Sequence, residues 1–323
     1  MYKKKVSILL ATYNGSKYVH QQIDSIALGI RSLTNEYDFN VFISDDASSD
    51  NTVEIIKGLS EKHKFLNLID SERKGGVKNN FLFLVNNIPD DSDYMFFCDQ
   101  DDFWLPNKLK LFLDEFIERD SNVPLLLHSD LTVVDECLFP NYLSMFDSQK
   151  LNKNATFNEL ITQNNVTGCV MAINKSAFKL IKDVDFTYSI MHDWYIALYV
   201  SFYGEIYFID KPTILYRQHS NNQVGAKQLN ISSLLQSFRN FPLLFESARD
   251  SVNKTKAQAK LFYTHNSGEN SHRLKELKSF IDSFEQSWIK RLRCFFVYGF
   301  RKHSIIRNFV FFFVYVFWNF EGE

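Results

Sequence analysis

Tyr94-Met95-Phe96-Phe97-Cys98-Asp99-Gln100-Asp101-Asp102-Phe103-Trp104-Leu105-Pro106 places three carboxylates within four positions at the end of an apolar run. The run is typical of a core strand, and the Leu-Pro-Asn-Lys-Leu that follows the carboxylates from Leu105 onward permits a helix. Open α/β sheets bind ligands at the carboxyl ends of their strands. The Asp-x-Asp spacing directs two side chains the same way from an extended segment, toward one hard divalent ion. The segment predicts a metal and nucleotide-diphosphate site, with a strand-end loop of solvated acids and a helix cap as the alternative.

Strand and helix patterns alternate along the chain on both sides of this segment. Apolar, β-branched runs predict strands at residues 6–11, 39–44 and 66–69. Helical spacing predicts helices over about 19–30, from the cap at Ser49 or Asp50 to about 62, and over 81–87. The first of these helices is expected to be capped by Ser16. This alternation predicts βαβ units and an α/β fold with a mostly parallel sheet flanked by helices. Further strands are predicted at 125–130, 132–135, 166–173, 206–209 and 214–219.

Composition limits the class of protein. The 323 residues are 45% hydrophobic and 23% charged, which suits one large or two modest globular domains. A formal net charge of −2 and a pI near 6.5 argue against a nucleic-acid partner. The cysteines have no paired metal spacing, so we expect reduced thiols and a cytoplasmic protein. The basic residues 1–5 lead into a strand pattern and not into the apolar core of a signal peptide.

A glycine pair follows the third predicted strand. Gly75 and Gly76 allow the backbone to come close to a ligand, and Lys78 with Asn80 offers donors at that point. A plain turn explains the pair equally well, because the Lys-Ser/Thr of a phosphate-binding loop is missing.

The middle of the chain carries three further signals. Residues 141–165 are polar and irregular, which is typical of a variable loop over a site. Gly168 lies in a strand pattern where something must approach closely. Asp193 opens an apolar helix, where it can serve as a helix cap.

Several of these segments together carry a family resemblance. They are Val6 to Gly15, Asp45-Asp46-Ala47-Ser48-Ser49-Asp50, Asp99-Gln100-Asp101-Asp102, His192-Asp193-Trp194 and Tyr216-Arg217-Gln218-His219. In this order they resemble the family 2 inverting glycosyltransferases, which have the GT-A fold. The wording from Cys98 to Trp104 is most similar to bacterial rhamnosyltransferases of polysaccharide assembly. The resemblance covers roughly residues 4–222.

The resemblance implies a role for the matching residues. Asp193 matches the general base, and Asp101 matches the main ligand of Mn²⁺ or Mg²⁺, with Asp99 and His219 as further candidate ligands. Asn80 falls where some relatives place an arginine. The candidate nucleotide-sugar-binding residues, the first two at the base, are Thr12, Asp46, Lys78, Asn80, Asp99, Asp102 and Arg217.

The implied function is metal-dependent, inverting transfer of a sugar from a nucleotide-sugar donor. The resemblance favours rhamnose from TDP-rhamnose, moved to a growing cell-surface polysaccharide or a lipid-linked oligosaccharide. A UDP-hexose-using transferase and an inactive, membrane-associated nucleotide-binding relative remain as alternatives. A sugar nucleotidyltransferase is disfavoured because residues 12–16 lack its Gly-rich loop.

The end of the sequence differs from the rest. We expect a catalytic domain over residues 1–222 and a helical region over 223–323. Residues 286–320 mix basic and aromatic side chains with no acid, and their closing apolar run is shorter than the roughly 20 residues of a spanning helix. This predicts a peripheral contact with an anionic membrane surface, on the inner face of the cell membrane. The alternative is a helix pair packed on the catalytic domain or on a second copy in a homo-oligomer.

Overall fold

Nine strands form one sheet in the part of the chain that the structure describes, residues 3–219 and 241–318. The structure is a computed structural model. The strands are β1 (Lys4–Thr12), β2 (Tyr37–Asp45), β3 (Leu66–Asp70), β4 (Tyr94–Asp99), β5 (Phe103–Trp104), β6 (Leu125–Val134), β7 (Pro140–Tyr142), β8 (Met171–Asn174) and β9 (Glu205–Arg217). Their order is β3-β2-β1-β4-β8-β6-β9-β5, with β7 paired to β6.

The described residues divide into two units. The first comprises residues 3–145, 166–187 and 191–219, and the second comprises 146–165, 188–190 and 241–318. The helices up to residue 203 are α1 (Val19–Arg31), α2 (Thr52–Lys62), α3 (Val77–Asn87), α4 (Lys108–Ile117), α5 (Met145–Gln149), α6 (Phe157–Thr162), α7 (Lys175–Ile181) and α8 (His192–Tyr203).

The register of the central strands positions the site. Strand β1 pairs in parallel with β2 and β4, with Thr12 opposite Asp45 and Ala11 opposite Asp99. Strands β1, β4 and β6 are buried along almost their whole length, which accounts for their near-continuous apolar runs. Strands β1, β2 and β4 therefore bring their polar carboxyl ends to one edge of the sheet, as the Asp-x-Asp segment predicts.

The α/β prediction is confirmed, and the far half of the sheet is more mixed than the alternation suggests. The run β3-β2-β1-β4 is parallel, whereas β8 pairs antiparallel with both β4 and β6. The four strands predicted at 125–130, 132–135, 206–209 and 214–219 form only two strands, β6 and β9. Each of them continues through the break in its apolar pattern without a turn, because the register of their pairing shifts there. Residues 168–170 form a 3-10 turn where the pattern predicts a strand.

The predicted helix caps are only partly correct. Helix α1 has Tyr18 at its N-cap, and the Ser16 amide instead donates to Asp50 Oδ2 at 3.1 Å. Asp50 Oδ1 accepts from the Thr52 amide at 3.1 Å, so Asp50 does stabilise the start of α2.

The second unit is helical. It contains α6 and the helices α9 (Phe241–His265), α10 (His272–Ser283), α11 (Trp288–Phe296) and α12 (Ile305–Phe317). The predicted irregular stretch 141–165 contains α6, which begins at a capping box in which Thr156 and Glu159 bond each other's amides. The boundary expected at residue 222 lies outside the described residues and stays a prediction.

Helix α12 buries one side against its own unit. Phe311, Val314 and Tyr315 are buried there, and the guanidinium of the buried Arg291 donates to the Tyr315 carbonyl at 3.3 Å. Among the described residues, no helix combines the length and the apolar character needed to cross a membrane.

Candidate active site

The ends of β1 and β2 are fastened together by side chains. Thr12 Oγ1 donates to Asp45 Oδ2 at 2.7 Å, and both residues are buried. The side-chain Nδ2 of Asn80 donates to the Ser44 carbonyl at 2.9 Å and to the Thr12 carbonyl at 3.3 Å. Asn80 therefore holds the carboxyl ends of β1 and β2 together. Its contact with a nucleotide stays a prediction.

Asp46 and the glycine pair are brought together. Asp46 Oδ1 accepts from the Gly75 amide at 2.8 Å and from the Lys74 amide, and Oδ2 accepts from the Gly76 amide at 2.6 Å. Gly75 and Gly76 have backbone φ angles of 86° and 111°, a conformation that is strained for any residue with a side chain. The close approach predicted for the glycines is thus made to Asp46. Its Oδ2 retains capacity for one more donor, such as the ring N–H of a pyrimidine base.

Lys78 lies in the first turn of α3, two residues after the glycine pair. Burial lowers its pKa, and the charge of Asp185 opposes that shift. Its predicted contact with the donor stays a prediction.

Asp99 and Asp102 form a second group with Cys169. One ligand atom from each of the three lies within 4.8 Å of the others. Burial, followed by the charge of Asp101, raises the pKa of Asp99 to about 7 and that of Asp102 well above its usual range. Asp102 Oδ2 is buried and has no hydrogen-bond partner among the described residues. Crowded, desolvated carboxylates of this kind suit a hard divalent cation, so the residues fit the predicted Mn²⁺ or Mg²⁺.

Asp101 faces a different partner. His219 Nε2 lies 2.8 Å from Asp101 Oδ2, and the His219 ring stacks on Tyr18 at 5.0 Å between centroids. The structure thus unites two predicted metal ligands, Asp101 and His219, and unites the third, Asp99, with Asp102.

Arg217 bonds the segment that carries Asp101 and Asp102, through both backbone and side-chain contacts. Its amide donates to Asp102 Oδ1 at 3.2 Å and its Nε donates to the Asp101 carbonyl at 2.9 Å. Its two terminal nitrogens donate to the Glu136 carbonyl and to Gln21 Oε1. The side chain is buried, so its direct contact with a nucleotide stays a prediction.

Asp193 lies in the first turn of α8, whose N-cap is Met191, so Asp193 is not the predicted helix cap. Its Oδ2 accepts from the Gly168 amide at 3.0 Å and its Oδ1 from the Trp194 amide at 2.6 Å. Burial raises the pKa of Asp193 to about 6, and these amides oppose the shift. A carboxylate of this kind is ionised at neutral pH and more basic than an exposed one, as a general base requires.

The sequence interpretation missed three residues of this edge. Gln100 bonds the amide and the carbonyl of Tyr13, both at 2.8 Å, and a Cβ on Gly15 would lie 2.1 Å from Gln100 Oε1. Lys108 and His192 are buried beside the carboxylates. Gln100 and His192 stand in the motifs quoted for the family resemblance, where they are given no role, and the glycine in the turn after β1 is a further signal for Gln100; nothing local marks Lys108.

Residues 7–181 match the sequence model of Glycosyl transferase family 2. The chain belongs to this family. It is 31% identical over 232 residues to the dTDP-rhamnosyl transferase RfbG of Shigella flexneri, covering 67% of this chain and 74% of that protein. It is 29% identical over 181 residues to a chondroitin synthase of Escherichia coli, covering 49% of this chain and 24% of that protein. The predicted enzyme class is confirmed: the chain is a glycosyltransferase, and inverting transfer is a general property of its family.

Two solved structures share the fold of this transferase. TarS of S. aureus aligns with a TM-score of 0.51 at 16% identity, covering 90% of this chain and 52% of that one. The mannosyltransferase PcManGT of Pyrobaculum calidifontis, in complex with GDP-Man and Mn²⁺, aligns at 0.50 and 11% identity, covering 91% and 84%. At such identities the likeness shows the GT-A fold alone, which confirms the predicted fold class.

Proposed function

We propose that this transferase moves rhamnose from dTDP-rhamnose to a growing polysaccharide or lipid-linked oligosaccharide, with a divalent cation in the site. The observation that carries the donor proposal is the 31% identity to a dTDP-rhamnosyl transferase over 74% of that protein. Asp46, with capacity for one more donor on Oδ2, supports a pyrimidine base such as thymine.

Asp193 is proposed as the general base. As the acceptor hydroxyl oxygen bonds to the anomeric carbon, its proton passes to the Asp193 carboxylate, and the bond from that carbon to the diphosphate oxygen breaks. The two amides that hold Asp193 fix its direction, which limits the reorganisation needed for proton transfer. Attack on the face opposite the leaving diphosphate inverts the anomeric configuration.

Asp99, Asp101 and Asp102 are the residues that would hold Mn²⁺ or Mg²⁺. When bound, the cation supplies positive charge that stabilises the departing diphosphate. The contact between His219 and Asp101 keeps a basic side chain at the same edge.

A donor panel tests the proposal. Purified full-length protein with Mn²⁺ is incubated with dTDP-rhamnose, UDP-glucose and UDP-galactose, and thermal stabilisation and nucleoside diphosphate release are followed. We expect dTDP-rhamnose to give both signals. Stabilisation by a UDP-hexose alone would replace the donor. Metal-independent nucleotide binding without turnover of any donor would favour an inactive binding protein.

The second unit supports a peripheral membrane contact. Ile305, Phe309, Phe313 and Phe317 recur every fourth residue along α12, and their side chains are 89, 63, 45 and 58% exposed. Trp288 of α11 is 51% exposed and its ring lies 6.4 Å from that of Phe317. These five residues are called the outer apolar row. A row of this size is unusual on a protein surface that faces only water.

Charge on α11 and between α11 and α12 favours lipid as the occupant of this row. Lys290, Arg293 and Arg301 are exposed, and residues 286–318 contain no acidic side chain. Cationic side chains beside exposed aromatic rings suit an anionic phospholipid surface, each contributing about 1 kcal/mol near the headgroups. We therefore propose that the transferase acts on the inner face of the cell membrane, on an acceptor linked to a lipid. Residues 319 and 320 of the predicted membrane segment lie outside the described residues.

A further inference from the structure

We propose that Lys108 and the 3-10 turn Gly168–Val170 position Asp193, so that the helix after the metal-binding carboxylates also aligns the general base. Lys108 and Gly168 are positioning residues in this account, since neither is placed in contact with the reacting atoms. The inference rests on the proposed role of Asp193 as the general base.

Lys108 is an unusual lysine. It begins α4, six residues after Asp102, and its side chain is fully buried. Its ammonium donates to the Cys169 carbonyl at 2.6 Å and lies 4.1 Å from the centre of the Trp104 ring. A buried ammonium is costly unless it is paired, so the bond to the Cys169 carbonyl anchors the turn to α4.

The other side of the same turn holds Asp193. The Gly168 amide donates to Asp193 Oδ2 at 3.0 Å, and Gly168 directly precedes Cys169. The turn is closed by a bond from the Val170 amide to the Thr167 carbonyl at 3.1 Å. One rigid turn therefore accepts from Lys108 and donates to the base, through two adjacent residues.

The space around Gly168 shows how tightly the turn meets α8. A Cβ at this position would lie 2.9 Å from His192 Nε2 and 3.6 Å from the Asp193 Cβ. The His192 ring is held from behind by Phe81, with 4.1 Å between ring centroids. Since His192 cannot retreat easily, a side chain at 168 must push the turn away from Asp193. This accounts for the glycine that interrupts the strand pattern.

The carboxylates offer a competing explanation for Lys108. Its charge acts on Asp99 and Asp102 as well, so it could serve the cation and not the base. The two roles predict different losses. A role in positioning Asp193 lowers kcat and leaves donor affinity unchanged, whereas a role at the carboxylates weakens the binding of Mn²⁺ and donor.

The test compares Lys108→Met and Gly168→Ala with wild type, using Lys110→Met as the control. Lys110 lies on the same helix, but it is exposed and pairs with Asp114. Turnover of dTDP-rhamnose is measured against pH with Mn²⁺, and donor binding is measured by calorimetry. We expect kcat to fall about 10- to 100-fold in both variants, as for a displacement of about 1 Å, with donor KM unchanged.

The pH profile separates positioning from general damage. The Gly168 amide lowers the pKa of Asp193, so its loss should move the acid limb of kcat to higher pH. The charge of Asp193 acts on Asp99 of β4, and the uncharged His192 precedes Asp193 in α8; neither residue is altered by these substitutions. The double variant should lose no more than the worse single one, because both changes break one connection.

Three results would overturn the inference. They are wild-type kcat in Gly168→Ala, a loss confined to donor and metal binding in Lys108→Met, and an unmoved acid limb in both variants. If Lys108→Met fails to fold, Gly168→Ala decides by the same criteria. Absence of turnover in wild type itself, with every donor, would instead refute the proposed function and remove the basis of this inference.

Discussion

The carboxylate edge of the first unit and the outer apolar row of the second break the usual rule of burial in opposite directions. Asp102 is 1% exposed and Asp193 8%, whereas Ile305 on α12 is 89% exposed. Burying a charge and exposing a large apolar side chain are both unfavourable in an isolated protein. Each region suits one of the two partners that we propose, a cation with its nucleotide sugar and an anionic membrane surface, and the chemistry of these partners is opposite.

The two regions also differ in how they are held. At the carboxylate edge, named donors fix the acids: the Gly168 amide holds Asp193 and the Arg217 amide holds Asp102. The outer apolar row instead has contacts between aromatic rings, as between Phe309 and Phe313, whose centroids lie 4.7 Å apart. Rigid polar geometry suits one small charged ligand, and an open apolar row suits a surface that needs no fixed geometry.

The largest effect should come from Asp193→Asn. The amide keeps the shape of the side chain but cannot take a proton, so kcat should fall about 10²- to 10⁴-fold. Calorimetric affinity for dTDP-rhamnose should change little. Asp24→Asn, an exposed carboxylate on α1, is the control and should keep full activity. Near-normal turnover in Asp193→Asn would show that Asp193 is not the general base.

Asp101→Ala should have the next largest effect. It removes a carboxylate from the proposed cation site together with its contact to His219, so Mn²⁺-stimulated turnover should fall by about 10²-fold or more. Donor binding should become insensitive to Mn²⁺ in calorimetry. If the variant retains metal stimulation, the cation is held by the group of Asp99, Asp102 and Cys169 without Asp101.

The outer apolar row is tested by Phe309→Ser with Phe313→Ser. The loss of two interfacial aromatic side chains should weaken binding to anionic vesicles by at least about 10-fold in flotation. Wild-type binding should also fall in high salt. Leu143→Ser is the control, an exposed apolar residue of the first unit that is 74% exposed. If wild-type protein does not bind vesicles but dimerises through this row, the row is a contact with a second copy of the chain.

The smallest effect is a pH dependence at the carboxylate edge. With the pKa of Asp193 raised to about 6, the base is protonated below that pH. Turnover at pH 5 should therefore be about 10-fold lower than at pH 7, and the loss should reverse on return to pH 7. A profile that stays flat down to pH 4.5 would mean that Asp193 keeps an ordinary pKa or is not the base.

The sequence predicts the carboxylate edge better than its supports. The strand ends at Thr12, Asp45 and Asp99 follow from local apolar runs, which is why their convergence is predictable. The bond from Lys108 to the Cys169 carbonyl joins residues 61 positions apart, and no local pattern encodes such a contact. The antiparallel insertion of β8 is equally non-local. The Thr156-to-Glu159 capping box is different, since its spacing is a local signal, but the interpretation of residues 141–165 as irregular overlooks it and with it the start of α6.

The central claim is inverting sugar transfer with Asp193 as the base, and ¹H NMR of the anomeric proton tests it most directly. Wild-type protein and Asp193→Asn are each given dTDP-rhamnose and Mn²⁺, with water as the acceptor, and early spectra are recorded before the free sugar equilibrates. We predict that wild type releases dTDP together with rhamnose of the configuration opposite to the donor, and that Asp193→Asn leaves the donor intact. Release of rhamnose with retained configuration would contradict the account. Consumption of dTDP-rhamnose at the same rate by both proteins would contradict it as well.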